Sequence, residues 1–96
     1  MLAEYGVLQI SAGVDHEHGV ISQPVRLTAR GWFEGEHDKA LMESVTNVVR
    51  DALQNALKEG DLDASSLNKV AQRAAGRILG QKFRRQPVLL AAVVVL

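Results

Sequence analysis

Apolar and polar side chains alternate in the first thirty residues of the chain. Apolar residues occupy every second position over 8–14 and again over 25–29. A period of two is typical of strands that turn one face toward a core. Residues 15–19 have the composition of a turn, and Pro24 interrupts the second alternating stretch. The pattern therefore predicts a β-hairpin whose second strand is irregular.

Helical spacing replaces this alternation after residue 38. Apolar residues recur at intervals of three and four over 41–57 and over 67–83, so each stretch predicts an amphipathic helix. Gly60 suits the position just past the first helix, where a positive φ favours glycine. The Asp63 carboxylate suits the N-cap of the second helix. Pro87 prevents that helix from continuing, and the spacing of Gly76 and Gly80 predicts close packing on a neighbouring element.

The last nine residues, 88–96, are all apolar. Such a run is typical of a strand that is covered on both faces, and it is less than half of the about 20 residues that a membrane-spanning helix needs. The predicted order is thus β-β-α-α-β. We expect an α/β (α+β) two-layer sandwich, in which two helices cover one face of a three-stranded sheet and the last strand pairs beside a hairpin strand.

A two-layer sandwich leaves one face of its sheet without a cover. Apolar side chains of the last strand that point to this face need a partner, because large exposed apolar patches mark interaction surfaces. The sequence therefore predicts an interface on the apolar sheet face, formed by Val88, Leu90, Ala92, Val94 and Leu96.

Composition narrows the possible functions. The chain has 96 residues and no cysteine, which excludes thiolate zinc sites, CxxC redox chemistry and a cysteine nucleophile. The N-terminal residues lack the basic and apolar segments of a signal peptide, so we expect a cytoplasmic protein without a membrane partner.

The formal net charge of zero combines two unlike parts of the chain. Residues 1–60 hold nine acids and five bases, whereas residues 61–96 hold two acids and six bases. Three of these bases recur every four positions and form what we call the basic stripe, Lys69, Arg73 and Arg77, and Arg84 and Arg85 continue the positive charge beyond it. Such a surface can contact the phosphates of RNA, or it can be a solvated helix face.

The three histidines are the other candidates for chemistry. His16 and His18 alternate with acids at the predicted hairpin turn, but a catalytic zinc ion needs three protein ligands and an open position. A polar turn is therefore the favoured interpretation. His37 lies between two acids. It could act with them as a general base, but the same acids also suit the first turn of the helix that follows. We interpret Trp32 as a core or interface anchor rather than a base-stacking platform.

Three strings along the chain carry a family resemblance. LAEYGVLQISAGVD at 2–15 is similar to a family's first strand, and Ala-Arg-Gly-Trp at 29–32 stands where that family has Ser-Arg-Gly-Phe. Arg-Arg-Gln-Pro at 84–87, followed by an apolar strand, is similar to its Arg-Arg-Pro ending. Together they resemble the C-terminal domain of ribonuclease J, a bacterial metallo-β-lactamase/β-CASP ribonuclease. The chain departs from the family at Ala29, at Trp32 and at its end, which lacks the acidic residue often found there.

The resemblance implies that residues 1–96 form a single accessory and assembly domain of a larger enzyme. That enzyme would be a zinc-dependent ribonuclease with 5′-to-3′ exonucleolytic and endonucleolytic activity in RNA maturation and decay. Its zinc would be held in the catalytic domain by an HxHxDH motif, which this chain lacks. We therefore expect no catalytic residue, metal ligand or cofactor here. The expected partners are further copies in a homo-oligomer, the enzyme's catalytic domains and, in the alternative of an autonomous RNA-binding module, RNA.

Overall fold

The computed structural model describes residues 6–30, 35–82 and 88–96. The elements in chain order are β1 (Val7–Asp15), β2 (Val20–Arg30), α1 (Gly35–Lys58), α2 (Ala64–Lys82) and β3 (Val88–Val95). The strands form one sheet in the order β2-β1-β3, with β1 antiparallel to β2 and parallel to β3. This confirms the predicted α+β sandwich and the pairing of the last strand beside a hairpin strand.

The inner face of the sheet, which we define as the face toward the helices, carries the core. Leu8, Ile10 and Val14 of β1 are fully buried there. Side chains alternate along a strand, so the residues paired with these positions also point inward. On β3 these are the odd-numbered residues, from Leu89, opposite Leu8, to Val95, opposite Val14. The hydrophobic alternation of β1 thus sets the inner face.

Each helix buries one stripe with a spacing of four residues. On α1 the buried positions are Leu41, Val45, Val49, Leu53 and Leu57, and on α2 they are Leu67, Ala71, Ala75 and Leu79. Helix α1 packs against β2, α2 packs against β3, and the two helices pack against each other. The two helices therefore form one layer over the inner face.

The helix ends follow the sequence signals. Gly60 has a φ of 90°, as predicted for the residue past α1. The Asp63 carboxylate accepts the backbone N–H of Ser66 at 3.0 Å and so caps α2. A Cβ on Gly76 would lie 3.4 Å from Leu89 Cδ1, which confirms close packing at that position.

Other predictions about the helices have a different outcome. At Gly80 no described atom lies within 4 Å of the Cβ position, so the predicted close packing is wrong within the described residues. The reason is that β3 approaches α2 at Gly76, through Leu89. Trp32, residue 83 of the predicted stripe and Pro87 lie outside the described residues.

Strand β2 is irregular, as its sequence predicts. Ser11 pairs with Arg26 but Gly13 pairs with Gln23, so two steps along β1 match three steps along β2. A second register shift follows one residue further along β1. Pro24 falls within the first shift, on an edge strand, which is where sheets tolerate a residue without a backbone N–H.

Gly13 marks a close approach between β1 and β2. A Cβ built on Gly13 would lie only 2.9 Å from the Cβ of Gln23. Because the Gln23 Cβ is fixed to its backbone, this clash cannot be relieved by rotating the end of the side chain. A larger residue at position 13 must therefore displace β2.

We predict that Gly13→Ala lowers the free energy of unfolding by about 1–3 kcal/mol, because the added methyl group pushes β2 away from β1. Urea denaturation of the chain measures this. Ser11→Ala, on the same face of β1, is the control and should leave the midpoint nearly unchanged. Equal midpoints for Gly13→Ala and the unmodified chain would contradict the prediction.

Candidate functional site

The residues predicted to form an interface lie together on the outer face of the sheet, opposite the helices. The exposed fractions are 42% for Val88, 50% for Leu90, 51% for Val94 and 56% for Leu96, and Ala92 between them is exposed as well. We call these five residues the apolar column. No described residue covers the apolar column. The described residues therefore cover β3 on its inner face only, although its sequence predicts a strand covered on both faces.

The outer face changes in polarity from one edge of the sheet to the other. Leu90 lies beside Gln9, and Ala92 lies beside Ser11. On the other side of β1, Ser11 pairs with Arg26 of β2. In its middle part the apolar column is therefore bordered on the β1 side by polar side chains, and polar residues beside an apolar patch are common in protein interfaces.

A shallow open depression lies between β2 and β3 on the outer face. It is lined by Ser11, Gln23, Pro24, Arg26, Ala92 and Val94 together with the β1 backbone around Ala12. Among the described residues that line it, Arg26 is the one ionisable side chain. The described lining thus does not offer the paired titratable groups that general acid–base catalysis uses.

The basic stripe lies in the helix layer. Lys69, Arg73 and Arg77 are all exposed on α2, as their spacing predicts. Within the described ranges none of them lies within 4 Å of a carboxylate oxygen. Arg84 and Arg85, which extend the predicted RNA-binding surface, lie outside the described residues.

The two histidines of the hairpin turn have different partners. His18 Nδ1 lies 2.7 Å from Asp15 Oδ2, whereas the His16 ring is hydrogen-bonded through Nδ1 to the Leu96 carbonyl oxygen. One ligand atom each from Asp15, Glu17 and His18 lies within 4.8 Å of the other two. The Asp15 carboxylate accepts the backbone N–H of Glu17 and bonds to the His18 ring within the turn, which fits the polar-turn interpretation. His37 falls in the first turn of α1, and its side chain lies outside the described part.

Hydrogen bonding at this turn lowers the pKa of Asp15. The main cause is the bond with the His18 side chain, and the backbone N–H groups of Glu17 and His18 act in the same direction. Because the folded-state pKa is depressed, the contribution to stability is present above the unfolded pKa of about 3.9. It is lost as the pH falls through the folded value.

Sequence reasoning missed two polar residues of α2 that contact β3. Asn68 Oδ1 accepts the backbone N–H of Val93 at 2.6 Å, and Gln72 Nε2 donates to the carbonyl oxygen of Leu89 at 3.2 Å. One feature of the sequence could have pointed to them: the two residues are four positions apart, and each directly follows a buried position of the helix. That spacing placed both residues beside the core, but did not indicate a backbone partner.

No helix among residues 6–30, 35–82 and 88–96 is long and apolar enough to span a membrane.

The fold and its surfaces define a small two-layer α+β domain with an apolar sheet face that no described residue covers. The model of the ribonuclease J C-terminal domain family matches residues 1–96, so the chain belongs to this family. The ribonuclease J of Corynebacterium glutamicum is 27% identical to the chain over 93 residues. That match covers 97% of this chain and 13% of the relative. The family resemblance seen in the sequence is thereby confirmed.

We predict that His18→Ala raises the pKa of Asp15 toward its ordinary value, because the variant removes the hydrogen bond that most lowers it. NMR titration of the Asp15 carboxyl carbon measures the change. His16→Ala is the matched control, since the His16 ring is bonded to Leu96 instead. An unchanged Asp15 pKa in His18→Ala, or an equal rise in both variants, would contradict the assignment.

Proposed function

We propose that this chain is a non-catalytic accessory domain of a ribonuclease J, which mediates self-association and thereby supports the activity of the parent enzyme. The parent is a cytoplasmic, zinc-dependent ribonuclease that acts on RNA from the 5′ end and internally, during maturation and decay. Its zinc and catalytic residues belong to its catalytic domains, which are also partners of this chain. The observation that carries the proposal is the uncovered apolar column.

The partner that fits the apolar column best is a second copy of the same surface. The column itself carries no charged side chain, and Arg26 and Arg30 lie across the sheet on β2. In a two-fold arrangement the two columns meet at the centre and the arginines remain at the solvated rim. Neither copy then has to bury an unpaired charge.

The expected association is weak for the isolated chain. Four large side chains of the column are each about half exposed, and burying what remains of both columns in a two-fold contact contributes on the order of 8 kcal/mol. Loss of translational and rotational freedom costs about 4–15 kcal/mol. Polar rim contacts must therefore add to the column. A domain that associates this weakly is suited to an assembly in which other parts of the parent enzyme also hold the copies together.

Sedimentation of the 96-residue chain up to high micromolar concentration tests the assembly role. We expect the average mass to rise with concentration, and we expect Leu90→Lys with Val94→Lys to abolish the rise, because two unpaired charges would then lie at the centre of the contact. Leu62→Lys, at a residue that is 39% exposed between the helices, is the control. A monomer throughout, or association unaffected by the double change, would refute the proposal.

A second candidate function is RNA binding through the basic stripe, extended by Arg84 and Arg85. It is favoured by one observation, the three exposed cations on one side of α2 without a described carboxylate within 4 Å. Each phosphate that a lysine or arginine neutralises on a single strand contributes about −0.7 to the slope of log affinity against log salt concentration. Three contacts predict a slope of about −2.

Binding of a single-stranded RNA at several salt concentrations tests this second function. We expect Arg73→Glu with Arg77→Glu to remove most of the affinity and to flatten the salt dependence. Lys39→Glu with Lys58→Glu makes the same charge change at exposed positions of α1 and is the matched control. Equal losses in the two variants would show a general charge effect and count against the basic stripe.

A further inference from the structure

The outer edge of β3 presents backbone groups that a further strand could use. In the sheet order β2-β1-β3, β3 has a described strand on one side only. The N–H groups of Val88 and Leu96 donate to the carbonyl oxygens of Gly6 at 2.9 Å and Val14 at 2.7 Å. Because backbone groups alternate in direction along a strand, the even-numbered residues of β3 bond to β1. Its odd-numbered residues therefore turn their N–H and C=O groups to the outer edge.

Helix α2 occupies two of these edge groups with side-chain amides. The Val93 N–H donates to Asn68 Oδ1 at 2.6 Å, and the Leu89 carbonyl accepts from Gln72 Nε2 at 3.2 Å. Both strand positions are odd-numbered. Asn68 and Gln72 are half-buried, and their spacing of four puts them on one side of α2. The helix thus supplies one acceptor and one donor where a neighbouring strand would otherwise bond.

The sequence of β3 makes its outer edge prone to pair with a strand of another molecule. VLLAAVVV contains no charge and no proline, and residues of this kind pair readily with other strands. Natural sheets block such edges with charges, prolines, bulges or a covering segment. Strand β3 has no charge, no proline and no register shift in its pairing with β1. Among the residues that the structure describes, the amides of α2 are therefore what occupies this edge.

We propose that Asn68 and Gln72 close the outer edge of β3 against strand addition by a second copy of the chain. An incoming strand has to break both amide contacts and displace the two side chains before it can bond to Val93 and Leu89. Association is thereby directed away from the edge and toward the apolar column. The closing of the edge does not depend on the proposed assembly role. Only the statement that association is directed to the apolar column rests on that proposed function.

The test combines Asn68→Ala with Gln72→Ala and measures mass against concentration by light scattering. Both changes are made in a chain that already carries Leu90→Thr and Val94→Thr, and this threonine background is the reference for the measured mass. Neutral threonines weaken contact through the outer face without adding charge to the edge. We expect the open-edge variant to form larger species. Adding Ala91→Pro should suppress them, since residue 91 is odd-numbered and its N–H faces the edge. Asn47→Ala with Asn55→Ala, both exposed on α1, is the matched control.

Three results would overturn the inference: an open-edge variant with the mass of its background, larger species that persist with Ala91→Pro, or the same growth in the α1 control. Failure of the proposed assembly role has a different signature: the unmodified chain and the threonine background would have equal masses. The comparison of the open-edge variant with its background would still test the closing of the edge.

Hydrogen exchange of the Val93 amide keeps the inference testable should the double variant not fold. Exchange should be about tenfold faster in Asn68→Ala than in the unmodified chain, because the variant removes the acceptor of that N–H. Asn68→Asp replaces the amide oxygen with a carboxylate oxygen, which also accepts a hydrogen bond, and should retain the protection. Equal Val93 exchange in the alanine variant and the unmodified chain would overturn the inference.

Discussion

The parallel pairing of β3 with β1 determines most of what this domain presents to its surroundings. It buries Val93 in the core and leaves Leu90 and Val94 about half exposed on the opposite face. A slip of one residue would exchange these two sets, and both sets are apolar, so hydrophobic pattern alone does not specify the register. The contacts of Asn68 and Gln72 with the β3 backbone help to specify it, because they are directional.

Sequence patterns predicted the elements that have one polar face. The alternation in β1 and the four-residue spacing in both helices each distinguish a buried side from a solvated side, and the structure agrees with them. Strand order and the parallel direction of β3 could not be predicted, because either edge of the hairpin could accept an apolar strand. The amide contacts of Asn68 and Gln72 were also missed, since a polar residue beside a buried stripe can equally well face water. The five-residue apolar column was predicted because a two-layer sandwich must leave one sheet face bare.

The apolar column and the basic stripe lie in different layers of the domain. The column is on the outer face of the sheet, whereas Lys69, Arg73 and Arg77 are exposed on α2, which packs over the inner face. Self-association through the sheet would therefore leave the basic stripe accessible. The two proposed functions therefore do not compete for the same residues.

Copies of the chain are proposed to meet through the outer face of the sheet. Methyl NMR spectra recorded through a dilution series test this proposal most directly, because they report which side chains change environment as the copies separate. The methyl signals of Leu90, Ala92 and Val94 should shift with concentration, while those of the buried Leu53 and Leu79 should not. Shifts confined to methyl groups beside the basic stripe, such as Val70 and Ala74, or no shifts at all, would contradict it.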